Sequence, residues 1–160
     1  MEPLGFARHD HSHCVTDAVA QVDSQCKIRG LKLTPVRRRA LEILLEEHRA
    51  LGAYDVLERL REDGFGSQPP VAYRALDFLT ANGFAHKIER LNAFIACAHP
   101  GDTHTPAFLI CRLCRAVAEA ETHHEEGLLD RIAEATGFNI ERAVLEAEGL
   151  CPNCQNGPDA

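Results

Sequence analysis

At 160 residues, 45% hydrophobic and with a formal charge of −7, the chain can bury a core and divide into two small units, and it holds no apolar run of membrane-spanning length. Met1 to Cys14 is polar and His-rich with no hydrophobic signal region, so a cytoplasmic protein is expected, in which seven cysteines read as metal ligands or free thiols rather than a disulfide framework. The charge divides unevenly: residues 1–97 hold 13 Lys+Arg and 13 Asp+Glu, residues 98–160 hold 4 and 11, so the acidic total does not exclude a nucleic-acid-binding first half.

In chain order, His9-Asp10-His11-Ser12-His13-Cys14 offers metal donors, but without a packed scaffold residues 1–15 read first as a disordered tail. A helix is expected from about Thr16 to Arg29, with Val15, Val19, Val22 and Cys26 on one face and Gly30 ending it. Between Gln25 and Leu41 there are six cations, Lys27, Arg29, Lys32, Arg37, Arg38 and Arg39, and no acid. That run is either a patch facing nucleic acid or a solvated helix face. Thr34-Pro35 supplies an N-cap and a first-turn proline for a second helix burying Val36, Ala40, Leu44 and Leu45. Gly52 to Asp63 repeats the pattern with Ala53, Val56, Leu57 and Leu60. A further helix opens at Pro69-Pro70, buries Ala72, Leu76 and Leu79, presents Arg74 and Asp77, and stops at Gly83.

Past Gly83 the period changes to alternation. Phe84–Glu89 and Ala93–Cys97, separated by Arg90-Leu91-Asn92, predict a hairpin. Helices followed by a hairpin is the order of a winged helix-turn-helix over residues 16–97, with an unrelated helical domain plus hairpin as the alternative. Residues 98–106, with two prolines and a glycine, predict a hinge. Beyond it, residues 107–154 predict a small α/β unit. Its parts are strands over 107–111 and 116–121, a helix from His123 to Thr136 with Leu128, Leu129, Ile132 and Ala135 inward, and a strand from Phe138 to Glu148. Residues 155–160 form a tail. The fold class expected is α+β, a winged-helix domain followed by an α/β domain that buries an apolar face by dimerising.

Donor side chains concentrate at the junction. Cys111-x-x-Cys114 and Cys151-x-x-Cys154 can close a four-sulfur site that ties the first hairpin of the second unit to its last turn. His86, Cys97, His104 and Glu119 remain for a second site with mixed ligands. His123 and His124 read as an exposed helix start, with metal binding as the lesser alternative.

Several runs carry a family resemblance: Leu33-Thr34-Pro35-x-Arg37, Ala53-Tyr54-Asp55, Tyr73-Arg74-Ala75-Leu76-Asp77-Phe78-Leu79, Gly83-Phe84-Ala85-His86-Lys87-Ile88-Glu89 and the paired C-x-x-C. Over Cys26 to Cys154 they closely resemble the ferric uptake regulator superfamily. Cys97, Thr103-His104-Thr105 and Glu119 look most like its zinc uptake regulators. The resemblance implies that Cys111, Cys114, Cys151 and Cys154 hold a structural zinc ion and that His86, Cys97, His104 and Glu119 hold a regulatory one, two ions per chain. It further implies that Tyr54 and Arg74 contact bases, that Arg37 contacts backbone, and that a homodimer reads a palindromic DNA operator to repress zinc-import genes. Two departures stand out. Val71 occupies the slot of a family threonine, removing a hydroxyl that could cap the helix or meet phosphate, and Arg142 stands where some members place a third-site histidine.

Other readings are an iron, manganese or peroxide regulator of the same family, a zinc store or chaperone, and a thiol enzyme. Cys97 favours zinc over iron or manganese, because thiolate prefers the softer ion. Tyr54, Arg74 and the basic helix count against a store. A redox enzyme needs one C-x-x-C near a helix start rather than two knuckles, so no enzymatic activity is expected.

Overall fold

The computed structural model describes residues 6, 11–47, 49–101, 104–122 and 127–156, the side chains at 11–13, 121 and 122 excepted. His9, Thr103, His123 and His124, and the side chains of His11 and His13, lie outside the described residues. Four helices come first: α1 (His11–Arg29), α2 (Pro35–Leu45), α3 (Ala53–Glu62) and α4 (Pro69–Ala81). The hairpin β1 (Ala85–Ile88) and β2 (Ala93–Ala96) follows, turned by a 3-10 segment, Glu89–Leu91, and by Asn92 in the left-handed region at φ 46°. Asparagine tolerates that conformation where a branched residue would not. The second unit contains β3 (Thr105–Cys111), β4 (Val117–Thr122), α5 (Leu128–Thr136), β5 (Leu145–Gly149) and the short α6 (Pro152–Gln155).

Local chemistry places the boundaries. Thr34 caps α2 by accepting from the Arg37 amide, and Pro35 opens it. Asp55 folds back to accept the Gly52 amide at 3.0 Å, which fixes the start of α3 and hence Tyr54 beside it. One core then gathers Val19, Val22 and Cys26 of α1, Leu41 and Leu44 of α2, Val56 and Leu60 of α3, and Leu76 and Leu79 of α4 with Phe84. Leu51 exchanges backbone hydrogen bonds with Phe94 at 2.9 and 2.7 Å and so adds a third segment beside the wing hairpin. Leu76, with no exposed surface, lies at the centre of the α4 stripe. Leu76→Ala is expected to cost about 2–5 kcal/mol in urea unfolding, the range for a leucine cavity.

Four expectations are corrected. Helix α1 begins at His11 rather than Thr16, shortening the expected tail, and Val15 in its second turn packs on the core. Strand β3 starts at Thr105, inside the expected hinge, where β4 pairs with it from Thr105↔Thr122 onward. Strand β5 covers only Leu145–Gly149, since β3 offers it partners only from Ala107 to Cys111 and residues 138–144 have no strand alongside. Helix α5 starts at Leu128, and its expected inward face is turned outward. Leu128, Leu129 and Ile132 are 66%, 46% and 50% exposed, and Ala133 is its buried residue. The amphipathic pattern is real, but the described residues leave it uncovered.

The second sheet has the order β4-β3-β5, with β3–β4 antiparallel and β3–β5 parallel. Phe108, Ile110 and Val117 of that sheet pack on Ile88 and Ile95 of the wing. The wing is therefore the wall on which the second unit completes its core. Among the described residues no helix is long and apolar enough to cross a membrane.

Candidate metal centres and nucleic-acid interface

The eight sequence-predicted donors converge as two sets of four, each with ligand atoms within 4.8 Å of one another. In the first, Cys111 ends β3, Cys114 lies in the following turn, and Cys151 and Cys154 flank the start of α6. Arg115 holds that turn at φ 64°. Cys114 Sγ lies 3.7 Å from Cys151 Sγ, and the Cys151 amide donates to Cys111 Sγ at 3.4 Å. Four thiolates bound to zinc at about 2.3 Å form a tetrahedron with edges of about 3.8 Å, so the spacing fits that ion. Burial raises the Cys111 thiol, but the amides of Cys151, Cys114 and Leu113 outweigh it and bring the pKa to about 6, whereas hydrogen bonding to Cys151 pushes Cys154 up to about 12. Amide donors thus favour the first thiolate, and a cation would have to offset the mutual repulsion of the rest.

The second set draws on three regions. His86 comes from β1, Cys97 follows β2, His104 precedes β3 and Glu119 lies on β4. Glu119 Oε1 is 2.8 Å from His104 Nε2 and 3.2 Å from His86 Nε2, while Cys97 Sγ is 3.6 Å from His104 Nε2 and 4.0 Å from Glu119 Oε1. His86 Nε2, though that close to the carboxylate, lacks hydrogen-bond geometry to it and is buried without a partner. A buried imidazole nitrogen with no partner, aimed at a thiol, a second imidazole and a carboxylate, is the donor set of a zinc-type ion. Burial tends to raise the Glu119 carboxyl, but the His86 imidazole, the Ala98 amide and His104 outweigh it, so it stays below the ordinary carboxylate range.

Supporting contacts that sequence reasoning did not find complete the site. The Ala98 amide donates to Glu119 Oε2 at 2.8 Å, leaving Oε1 for the cluster. Phe108 stands opposite Glu119 in the β3–β4 register and packs on the His86 ring at 5.5 Å between centroids. Cross-strand alternation could have indicated Phe108 once the β3 register was known. The loop between Cys97 and His104 is braced by α1, where Gln21 Nε2 donates to the Pro100 carbonyl at 3.5 Å. Gly101, at φ 94°, lies so close to Gln25 that a Cβ would come within 2.8 Å of its amide. Cys14 is exposed and belongs to neither set among the described residues.

On the other side of the first domain, Arg74 and Tyr73 are exposed on α4, opposite its buried stripe. Arg37 reaches the same helix, its guanidinium 3.8 Å from the Phe78 ring centroid and Nη1 donating to the Lys32 carbonyl at 2.6 Å. Tyr54, 67% exposed, shares a shallow groove with Arg61 and with Ser67 on the approach to α4. Arg37 and Arg74 are thus both at α4, and Tyr54 of α3 lies beside the segment that leads into it. The six-cation run is largely engaged within the fold: Lys27 and Arg38 with Asp23, Arg39 with Asp63 and Glu46, and Arg29 with Asn82. Lys32 and Arg74 make no ion pair among the described residues.

A winged-helix domain with an open helix face, joined by a four-donor cluster to a small sheet domain with a four-thiol knuckle, defines a metal-binding protein of the winged-helix regulator class. Residues 28–148 match the Ferric uptake regulator family, and the chain belongs to that family. It is 40% identical over 140 residues to the zinc uptake regulation protein of Escherichia coli K12, covering 86% of this chain and 81% of that one. The structure of a zinc uptake regulator complexed with zinc and DNA matches with a TM-score of 0.83 at 38% identity, over 88% of this chain and 95% of the other. Holo XcZur matches with a TM-score of 0.80 at 41% identity, covering 88% and 99% of the two chains. Apo XcZur, at the same 41% identity and covering 88% and 97%, reaches 0.50. Sequence identity is equal in that pair, so the overall arrangement of this chain is nearer that of holo XcZur than that of apo XcZur.

Proposed function

We propose that this protein is a zinc-responsive, DNA-binding transcriptional repressor that controls zinc-uptake genes. The observation that carries this reading is the convergence of His86, Cys97, His104 and Glu119 from wing, hinge and second domain. Rotating the domains apart would part His86 and Cys97 of the wing from Glu119 of the second sheet, so occupancy and domain orientation are linked. Zinc bound there would supply four bonds that favour the closed arrangement, and linkage then requires DNA to strengthen metal binding in return. Cys111, Cys114, Cys151 and Cys154 would hold a second, structural ion, giving two ions per chain. The likeness to regulators solved with zinc and DNA supports the reading, and so does the holo-like arrangement. Cys97 favours zinc over an iron, manganese or peroxide sensor.

The exposed face of α5, with Phe138 and Leu145, suits a homodimer in which a second copy covers the apolar surface left open here. Two copies present two α4 helices to a palindromic operator in the cytoplasm, with no enzymatic step. In each half-site, Arg74 would read a base edge and Tyr54 a thymine methyl, while Arg37, held against Phe78, would meet phosphate. Internal pairing of the basic run leaves less charge for sequence-independent attraction than the sequence suggested.

The test is metal analysis of the purified dimer together with binding to a duplex selected from random sequence, titrated with zinc, iron(II) and manganese(II). Two ions of zinc per chain and zinc-dependent affinity are expected, and equal response to all three metals overturns the zinc assignment. On the same duplex Arg74→Ala is expected to lose about 1–3 kcal/mol and to blur base preference. Arg37→Ala should weaken specific and random duplexes alike and reduce the salt slope by about 1. Equal losses for Arg74→Ala on both duplexes remove it from base readout.

A further inference from the structure

Besides the apolar packing of Ile88 and Ile95, polar contacts tie the wing to the second domain at the mixed donor cluster and at a second place. At the turn between β1 and β2, the Glu146 carboxylate accepts the amides of Glu89 at 2.9 Å and Arg90 at 3.3 Å. Arg90 in turn places Nε and Nη2 on the two oxygens of Glu148, each at 3.1 Å, as a two-pronged pair. Glu146 and Glu148 are two apart on β5 and so share a face of the sheet. The pairing registers show which face. Phe108 stands opposite Glu119 on β4 and opposite Glu146 on β5, so one transverse row of the sheet runs Glu119, Phe108, Glu146. Strand β1 spans the same row, with His86 at Glu119, its own turn at Glu146, and Ile88 packed in the apolar cluster that contains Phe108.

We propose that Arg90, Glu146 and Glu148 form a metal-independent interdomain clasp that sets the zinc affinity of the mixed cluster. The inference rests on the reading of that cluster as the regulatory site. A carboxylate bound to two backbone amides and a forked guanidinium pair both constrain direction, so the clasp fixes the β5 end of the wing. With that end fixed, His86 and Cys97 stay within reach of Glu119 and His104 before metal arrives. Zinc then binds a partly organised site, and less of its binding free energy is spent on closing the domains. Arg90, Glu146 and Glu148 are positioning residues, since none donates to the cluster. Arg90 and Glu148 are 55% and 36% exposed at the side chain, which makes the clasp weak and sensitive to salt.

The experiment compares the full-length dimer with Arg90→Ala, Arg90→Glu and the reversal pair Arg90→Glu/Glu148→Arg. Affinity of the exchangeable zinc is measured by chelator competition, and exchange of the Glu89 and Arg90 amides is followed with and without zinc. Arg90→Ala should keep the dimer and the tightly held zinc, and bind the exchangeable zinc about three- to tenfold more weakly at low salt, a deficit that shrinks as salt rises. Arg90→Glu should be worse and the reversal pair should recover most of the loss, which a generally damaged fold would not do. Faster exchange of the two amides in zinc-free Arg90→Ala than in zinc-free wild type should accompany the loss. Unchanged zinc affinity across the variants, or no recovery on reversal, overturns the clasp while leaving the regulatory site standing. If wild type binds no exchangeable zinc but the amides still respond to Arg90→Ala, the clasp exists and the reading of the mixed cluster is what fails.

Discussion

Cys111→Ser and Cys151→Ser are each expected to unfold the second domain and to abolish the stable dimer. The reason is the small amount of core that domain owns. Its apolar cluster consists of Phe108, Ile110 and Val117, completed by Ile88 and Ile95 from the wing, and α5 contributes Ala133 as its one buried residue among those described. The four cysteines bring the end of β3, the turn before β4 and the start of α6 together at one point, beside the last β3–β5 pair, Cys111↔Gly149, where a zinc ion would tie them. Structural zinc sites supply roughly 10–16 kcal/mol of apparent binding free energy, comparable to or larger than the 5–15 kcal/mol net stability of a domain. Losing one thiolate therefore outweighs most other substitutions available to the chain. Sedimentation equilibrium and zinc analysis should report monomer with less than one tightly held ion per chain. An intact dimer of wild-type stability in both variants removes the structural role from this cluster.

What was legible in the sequence follows from how local each signal is. Thr34-Pro35 and the stripes of α3 and α4 are local signals, and the structure returns the start of α2 and the bounds of α3 and α4 within about a residue of expectation, whereas the α2 stripe buries Leu41 and Ile43 with Ala40 and Leu44 and leaves the expected Val36 and Leu45 half-buried. The donors were legible for a different reason: thiol and imidazole are scarce in this chain, with seven cysteines and nine histidines, so their concentration between His86 and Cys114 and the second C-x-x-C at Cys151 stood out before any geometry. Features that depend on another surface were not legible. Leu128, Leu129 and Ile132 have the spacing of a buried stripe, but periodicity does not say whether the same chain or a second copy covers it. Residues 138–144 have strand-like composition and lack a neighbouring strand. Pairing of Arg38 with Asp23 and of Arg39 with Asp63 joins different helices or a helix and its neighbour's end, so the cationic run looked freer than it is. Arg90, Glu146 and Glu148 were likewise silent, since their meeting depends on the wing crossing the sheet along the row that also carries Glu119.

Cys97→Ala is expected to separate sensing from building. The Cys97 thiol is buried at the exit of the wing, where its amide still bonds the Phe84 carbonyl at 3.0 Å, so truncation removes a donor without disturbing the strand. The four-thiol cluster and the apolar face of α5 do not involve it, and the dimer with its tightly held zinc should persist. The remaining His86, His104 and Glu119 would offer zinc one fewer donor and no thiolate, so the exchangeable ion should be held much more weakly. Wild-type affinity for the selected duplex should rise on zinc addition by the coupling free energy, typically about 1–3 kcal/mol, and most of that rise should vanish in the variant. Cys111→Ser and Cys97→Ala therefore make opposite demands: the first loses the dimer, while the second keeps it and loses the metal response. Binding by Cys97→Ala as tight as wild type at limiting free zinc, with an equal gain when zinc is supplied, would show that the mixed cluster is not the switch, because a ligand with no differential affinity for two domain arrangements cannot shift them.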